Sequence, residues 1–311
     1  MKRTSIGSQL LFVSVIGAAI AAGPGFARAD GLSKAPVSAP YNWSGFYVGA
    51  HLGAGWERSQ WTDLDPFCPN ALLACATNGG PFGSHNLMGL LAGGQVGVNW
   101  QVGRLVWGLE GQLSWANLNG DHSHSDSDAA TFINGTVPNR VVIGVNTDRD
   151  SIATTSINRL ATIAARLGVT SDQYDRTLFY IKAGAGFANP EYGLSARSNQ
   201  STECSSLDPG GFCPVIKASV TSTSSGSTSK ALWGPMVGIG IEHALTASWS
   251  VRVEYDYVWF GKRDVSIPFT GQECVGINGF PPNCSNIAGV RHLQTEEDLH
   301  MIKFGLNYRF K

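Results

Sequence analysis

The sequence has few charged residues and few long apolar runs, and both shortages limit what it can be. Charged side chains make up 14% of the 311 residues. One apolar stretch, Leu10 to Ala22, is shorter than the roughly 20 residues that a membrane-spanning helix needs. No later segment has an uncharged apolar run of that length, so helices do not carry this chain across a membrane.

Motifs for nucleophilic catalysis and phosphate binding are also missing. The sequence has no Gly-x-Ser-x-Gly elbow, which would present a nucleophilic serine. Its Gly-x-Gly runs lie inside predicted strands and precede no helix, so they do not predict a phosphate-binding loop. No set of nucleophile, base and orienting acid is evident. We therefore predict a protein without catalytic residues and without a cofactor.

The first residues predict an export signal. Lys2 and Arg3 supply positive charge, an apolar stretch follows, and a small-x-small pattern ends at Ala29. We predict that residues 1–29 are a signal peptide, cleaved between Ala29 and Asp30.

The exported chain is predicted to contain a linker and one folded domain. Residues 30–42 are rich in Pro, Ala and Ser and are predicted to be a periplasmic linker before a domain over residues 43–311. Removing Lys2, Arg3 and Arg28 from the 22 basic residues leaves 19 against 23 acidic ones, a net charge of −4. Nucleic-acid sites need a basic stripe, so nucleic acid is excluded as a partner.

Six cysteines follow the signal in three local pairs. An exported chain meets an oxidising compartment, which favours disulfides. Free or zinc-bound thiols are the alternative, but zinc ligands are usually spaced as Cys-x₂₋₄-Cys with histidine partners, and these spacings are wider. The predicted disulfides join Cys68 to Cys75, Cys204 to Cys213 and Cys274 to Cys284.

Eight segments alternate strictly between apolar residues and glycine or polar residues. In the first, Phe46, Val48 and Ala50 fall on one face and Tyr47 and Gly49 on the other. A period of two is the pattern of a β-strand. The eight predicted strands cover approximately residues 43–57, 87–101, 105–115, 158–169, 179–187, 233–242, 249–259 and 302–310.

An even number of strands predicts a closed antiparallel barrel, because lipid cannot satisfy the backbone of an open edge. Short turns alternate with long connections, which is the layout of a transmembrane barrel. We predict an all-β fold, an eight-stranded antiparallel transmembrane β-barrel with four long extracellular loops and short periplasmic turns. The predicted loops cover approximately residues 59–86, 118–157, 188–231 and 261–298, and every cysteine pair lies inside one of them.

A soluble eight-stranded barrel of the lipocalin type is the rival fold. Its wall would be polar outside and apolar inside. Here the apolar face carries aromatic residues near the strand ends, as in interfacial aromatic bands. These residues are Trp43, Trp56, Trp100, Trp107, Trp115, Trp233, Trp249, Trp259 and Phe310.

The opposite, inward face collects charged residues. An eight-stranded barrel is just wide enough for its own side chains, and buried charges must be paired. We predict a structural plug; a proton or ion pathway is the alternative. The nine residues are Glu110, Arg166, Lys182, Glu242, Arg252, Glu254, Asp256, Lys303 and Arg309.

One loop carries a weak candidate for a metal or haem site. His122, His124, Asp126 and Asp128 alternate with serines in the second long loop. A solvated polar loop explains the same run without a ligand, so no metal is assigned.

Several motifs resemble a known family. They are Asn42–Gly49 (NWSGFYVG), Arg166-Leu167-Gly168 before Asp175-Arg176-Thr177-Leu178, Val253-Glu254-Tyr255, and Gly305–Phe310 (GLNYRF). The chain resembles the opacity-like outer-membrane β-barrel proteins of alphaproteobacteria, often called outer-membrane immunogenic or porin-family proteins. The resemblance implies an outer-membrane location, contact with lipid and lipopolysaccharide, and assembly by the barrel-assembly machinery. That machinery reads a C-terminal aromatic residue; here Phe310 is followed by Lys311.

These patterns predict a structural and surface-interaction role. Loops this long exceed what closing a barrel requires, and ordered exposed loops usually carry function. We expect support of the envelope and binding of host, phage or envelope partners. A narrow diffusion channel is the second hypothesis, and capture of haem or metal by the loops is the third.

Overall fold

The computed structural model describes residues 40–65, 81–171, 175–213 and 217–310. The predicted signal peptide with its cleavage site at Ala29 and Asp30, most of the predicted linker, and Lys311 lie outside the described residues. The predicted disulfide between Cys68 and Cys75 does as well.

Every regular element in the described part of the chain is an antiparallel strand. Among those residues, no helix has the length and apolar character needed to cross a bilayer. The strands are β1 (Gly45–Asp63), β2 (Pro81–Val102), β3 (Leu105–Asn134), β4 (Val141–Thr170), β5 (Thr177–Ala188), β6 (Glu191–Ser206), β7 (Lys217–Ser229), β8 (Leu232–Ala244), β9 (Trp249–Ile277) and β10 (Asn283–Arg309).

Eight of these strands close into a ring, and the predicted barrel is confirmed. The ring runs β1-β2-β3-β4-β5-β8-β9-β10 and closes between β10 and β1, for example at Leu306 and Ala50. Short turns join β2 to β3, β4 to β5 and β8 to β9. In the first of these turns Gly103 has a φ of 60°, a left-handed conformation that glycine adopts without steric cost.

The alternating pattern places the apolar side chains on the outside of the ring. Leu52, Leu109, Ile163, Ile181 and Ile239 all lie exposed on the outer wall. A wall of this kind needs lipid around it, because monomeric soluble proteins rarely expose continuous apolar surface.

Aromatic side chains border this wall at both ends. One band contains Trp100 stacked on Trp107, with ring centroids 4.5 Å apart, and the Trp249–Tyr308 pair at 5.0 Å. Exposed Trp56, Trp115, Trp233 and Trp259 form the band at the other end. We call these the inner and outer aromatic bands, since interfacial aromatic belts mark the two edges of a membrane span.

Trp43 is an exception to the predicted band. It is completely buried and lies inside the barrel mouth rather than on the lipid side. The reason is parity: Trp43 lies an even number of residues from Tyr47 and His51, which also face the lumen, whereas Phe46 on the opposite parity is exposed to lipid.

Where the structure describes them, the segments predicted as long loops are largely β-structure. Strands β3 and β4 stay paired far beyond the outer aromatic band, for instance at Ser125 and Asp150, and β9 and β10 do the same at Gln272 and Asn286. Outside lipid, hydrogen bonds between strands still stabilise the backbone, but neither face of the sheet needs to be apolar. The alternation that predicted the membrane strands is therefore weak there.

The third predicted loop contains two additional strands, β6 and β7. This hairpin takes the place of β5 and β8 above the membrane: β6 pairs with β4 at Tyr192 and Thr155, and β7 pairs with β9 at Val220 and Val275. The Ser/Thr-rich run Ser219–Ser229 forms most of β7. The sheet thus continues outward as an extracellular extension.

Candidate functional site

The lumen of the barrel is filled in layers, beginning at the inner aromatic band. Trp43 lies across the mouth, donates from Nε1 to the backbone oxygen of Asp175 at 2.7 Å, and packs edge-on against Tyr41. Val106, Leu178, Tyr180 and Ala244 complete this apolar closure. Residues just before the first strand therefore block the periplasmic end.

Next to this closure lies a layer of buried charges centred on Glu110. Its carboxylate accepts hydrogen bonds from the Tyr47 hydroxyl at 2.6 Å and from Gln112 Nε2 at 2.8 Å. It also forms ion pairs with three cations. These are Arg166 (3.4 Å), Lys182 (3.3 Å) and Arg252.

The other three carboxylates of the layer pair with some of these cations and with a fourth, Lys303. Glu254 pairs with Lys182 at 2.7 Å and Lys303 at 3.0 Å. Asp256 pairs with the same two lysines. Glu242 pairs with Arg166 at 2.7 Å and accepts hydrogen bonds from Ser250 and Asn307.

Eight of the nine predicted inward charges therefore form one network. It contains four carboxylates and four cations and is formally neutral, which is the condition for burying charge at tolerable cost. Arg309 does not join these ion pairs: its guanidinium lies 5.2 Å from the ring centroid of Trp43 and donates to the Trp43 carbonyl.

Neutral polar side chains complete the network. The sequence prediction named only charged residues on the inward face and so did not include them. His51 bridges Gln95 at 2.6 Å and Ser114 at 2.8 Å, and Gln95 Nε2 donates to Asn307 at 2.8 Å. Each of these residues lies on the same inward parity as the charges. That shared parity was the available signal.

A layer of apolar side chains fills the lumen above the charges, which the sequence did not predict. Its larger members are Leu87, Leu91, Leu118, Ile157, Leu160, Leu232, Met236, Val258, Phe260, Leu299 and Met301. The inward parity changes within β4, where both Leu160 and Ile157 point inward. It changes again in β9, where Phe260 is followed by Gly261 at a register shift. A strict period of two cannot follow such bulges.

Two carboxylates lie buried just beyond the outer aromatic band. Glu57 on β1 and Glu297 on β10 both face the lumen, and Glu297 pairs with Ser59, two residues beyond Glu57. Among the described residues, neither carboxylate oxygen of Glu57 has a hydrogen-bond partner. Burial raises the pKa of Glu297 to about 7, although the neighbouring hydroxyls of Tyr192 and Ser59 oppose the shift. This pair was not predicted from the sequence.

A second apolar cluster covers the carboxylates, and an open cup lies beyond it. Trp61, Tyr192, Val265, Ile267 and Leu293 form the cluster. The cup has a volume of about 630 Å³ and is lined by strands of the extracellular extension. Its lining residues lie on the extracellular parts of β3, β4, β6, β7, β9 and β10 and at Asp63, the end of β1.

The four weak metal candidates lie on β3, and two of them, His124 and Asp126, line this cup. Arg149 occupies the two carboxylates, with Nη1 3.3 Å from Asp126 and 2.8 Å from Asp128. His124 lines the cup, and His122 lies against Gly83. Within the described ranges, no group of three or more metal-binding side chains is assembled.

Two of the three predicted cysteine pairs are disulfides. Cys204 and Cys213 lie at the end of the β6–β7 hairpin with Cα atoms 5.8 Å apart, and Cys274 and Cys284 close the β9–β10 hairpin at 4.0 Å. Both cross-links lie at the outermost part of the extracellular extension.

Comparison with known proteins shows which family has this architecture. The family model of the outer membrane protein β-barrel domain matches residues 29–310. The 31 kDa outer-membrane immunogenic proteins of Brucella melitensis and Brucella suis are each 25% identical over 284 residues, covering 89% of this chain and 89% of theirs. These matches confirm the resemblance noted in the sequence.

Solved structures of outer-membrane proteins are also similar. Ail, the attachment invasion locus protein of Yersinia pestis, is 10% identical over 86% of this chain and 99% of its own, with a TM-score of 0.29. OprG of Pseudomonas aeruginosa is 11% identical over 87% and 99%, with a TM-score of 0.32. The family match decides the identity: this chain is a bacterial outer-membrane protein and belongs to the outer membrane protein β-barrel domain family.

Proposed function

We propose that the barrel is a sealed, non-catalytic membrane anchor that supports the envelope and holds a rigid extracellular β-extension for contact with external partners. The observation that carries this proposal is the layered lumen below a cross-linked extension. An apolar closure, a neutral charge network and two further apolar clusters follow one another through the described barrel. Such a barrel offers a solute no continuous polar path.

The sealed lumen is tested by conductance. We expect the refolded mature chain to give no large, stable steps in planar bilayers, because the charged residues of the lumen are paired with one another. A variant with Glu110→Ala and Arg252→Ala, which removes two large side chains from one layer, should stay closed because the apolar layers remain. Large and stable steps from the unaltered protein would support the channel hypothesis and end this proposal.

The pairing of the buried carboxylates in the lumen supports a non-catalytic role. Glu110, Glu242 and Glu254 are all buried, and each is held by two or more hydrogen bonds or ion pairs. A general acid or base must reach its substrate directly or through one water, and these groups face only each other.

The role of the extension is tested by excising one hairpin. Ala188 of β5 pairs directly with Leu232 of β8, so a short turn can join them in place of β6 and β7. We expect the excised chain to assemble and to restore the detergent resistance of cells that lack the protein, since the membrane ring is intact. Adhesion of these cells, in dilute suspension, to a cultured epithelial monolayer should fall.

Two outcomes of that comparison count against the proposal. Adhesion equal to that of cells with the complete chain would remove the surface role. Detergent resistance that neither chain restores would remove the envelope role.

The haem hypothesis has its own test. A haem titration of the mature chain, compared with a variant carrying His122→Ala and His124→Ala, should show no difference in binding, because Arg149 already holds the neighbouring carboxylates. Stoichiometric binding that the double substitution abolishes would establish the third hypothesis instead.

A further inference from the structure

Three extracellular hairpin ends meet in one rim. We define this distal rim as residues 132–141, 204–213 and 274–284. The first two segments are joined where Gly210 N donates to the oxygen of Pro138 at 3.1 Å. The third is joined to β7 where Asn278 N donates to the oxygen of Lys217 at 2.8 Å. Lys217 in turn pairs with Glu203 of β6, the residue before Cys204. The ends therefore form one connected surface rather than three independent loops.

Each disulfide of the rim holds an exposed phenylalanine. Phe212 precedes Cys213 and is 80% exposed; Phe280 lies within the loop closed by Cys274 and Cys284 and is 72% exposed. A covalent loop limits the alternative conformations of these side chains, so little entropy remains to be lost on binding. Rigid exposed aromatic residues are the usual anchors of protein interfaces.

Further apolar side chains extend the patch. Ile133 and Val137 are exposed on the first segment, and Leu207 on the second. Phe132 is 43% exposed, so the three phenylalanines alone present on the order of 400 Å² of apolar surface. That is comparable with the largest patches on soluble monomers and about half of one side of a standard interface.

The rim carries no unpaired charge. Arg140 and Asp208 are the charged residues of its three segments, and Arg140 donates to both carboxylate oxygens of Asp208 at 2.8 and 3.0 Å. Beside the rim, Lys217 and Glu203 pair at 3.0 Å. Polyanions and anionic membranes need free basic residues, and this surface offers none.

The rim also stands far from its own membrane. Strand β3 continues for about 17 residues between Trp115 in the outer aromatic band and Phe132. At about 3.3 Å per residue and a tilt of about 45°, this is roughly 40 Å. The patch therefore cannot insert into the bilayer that holds the barrel.

We propose that the distal rim docks onto the distal rim of a second copy of this chain held in a facing membrane. A two-fold interface brings the same patch together on both sides, and here that patch is apolar on both. The charges are neutralised within each copy, so two rims do not repel each other. This inference rests on the proposed surface-contact function and names the partner for it.

The expected strength of one contact is modest. The phenylalanines of two copies together supply roughly 800 Å², against the 1,200–2,000 Å² of stable interfaces, and the rest of the rim must supply the difference. Many copies in two membranes act together, which raises the apparent affinity without any new contact. Clustering of membranes is therefore a more sensitive measurement than dimerisation in detergent.

Vesicle clustering tests this inference. The full mature chain is reconstituted into zwitterionic vesicles, with two populations carrying different fluorophores, and clustering is followed by light scattering and by colocalisation. We expect clustering when both populations carry the chain, and at least a tenfold reduction for a variant with Phe212→Ser and Phe280→Ser. Val290→Ser replaces an exposed apolar residue of β10 outside the rim and should cluster normally.

The results that would overturn the inference are distinct. Attachment to protein-free vesicles would show that the rim binds lipid. The heat-dependent shift in gel mobility checks that the barrel of the double variant is folded. If the folded double variant clusters vesicles as well as the unaltered chain does, the contact lies elsewhere. Absence of clustering by the unaltered chain removes the second copy as partner. The proposed surface role would still stand if hairpin excision lowers adhesion of cells.

Discussion

The guanidinium of Arg309, at the end of the last strand, lies 5.2 Å from the ring centroid of Trp43, which precedes the first strand. Arg309 also donates to the Trp43 carbonyl, and the indole donates to the Asp175 carbonyl in the turn between β4 and β5. The two ends of the folded domain are thus held together across the periplasmic mouth.

Removing Trp43 should open this closure. Trp43→Ala deletes a completely buried indole, and we expect a loss of about 3–5 kcal/mol in the free energy of unfolding. Urea unfolding in detergent micelles measures it. Trp233→Ala, which removes an exposed lipid-facing indole, is the matched control and should cost less. Equal losses from the two substitutions would contradict the closure.

Glu110 should matter more than any single one of its cations. Glu110→Ala leaves Arg166, Lys182 and Arg252 without a shared carboxylate, and breaking buried pairs of this kind costs about 3–5 kcal/mol. Arg252→Met should cost less, because Glu110 keeps two cations.

A double variant measures the coupling between these residues. Glu110→Ala with Arg252→Met removes one charge of each sign and restores neutrality, so its loss in unfolding free energy should be smaller than the sum of the two single losses. Additive losses would show that the network is not energetically connected. The same urea titration serves for all variants.

The buried carboxylate Glu297 should make the extracellular extension sensitive to pH. Its pKa is raised by burial to about 7 in the folded chain, against 4.5 ordinarily. The folded state therefore holds the proton more tightly than the unfolded state. The resulting stability is complete below pH 4.5 and is lost as pH rises through 7, by at most roughly 3 kcal/mol.

Thermal unfolding in micelles between pH 4.5 and 8 measures this dependence. Glu297→Gln should flatten the decline, since its amide does not ionise. Glu296→Gln changes the exposed neighbouring carboxylate beside Lys262 and should leave the decline in place. A Glu297→Gln curve parallel to that of the unaltered chain would refute the assignment.

The two described disulfides should stabilise the hairpin ends and not the barrel. Closing loops with sequence separations of 9 and 10 residues contributes about 2–3 kcal/mol through the unfolded state. Cys204→Ser with Cys213→Ser should therefore increase proteolysis at the β6–β7 end. The melting of the membrane ring should stay unchanged, and a large drop would contradict this separation.

Much of the charged layer was accessible to sequence reasoning because β-strand geometry is simple. Glu110, Arg166, Lys182 and Arg252 share the inward parity of four strands, and an enclosed barrel brings inward charges within reach of one another. Their specific partners were not accessible. Which carboxylate meets which cation depends on the stagger between strands, and no residue pattern encodes that stagger directly.

The outer half of the lumen was missed for a different reason. The apolar alternation that marks a membrane strand is imposed by lipid, and it ends at the outer aromatic band. Beyond it, strand β4 changes parity near Ile157 and β9 changes at Gly261. Glu57 was predicted at the end of the first strand and Glu297 in the fourth long loop, so the sequence did not bring these two carboxylates together.

The sequence by itself determined the outer-membrane barrel, its eight membrane strands and which side chains face lipid, because a period of two beside a bilayer allows only one assignment of faces. Tertiary structure alone decided how the lumen is closed, that β6 and β7 replace β5 and β8 above the membrane, and that three hairpin ends form one rim. Those features depend on bulges, strand stagger and contacts between segments far apart in the chain, which local alternation does not record.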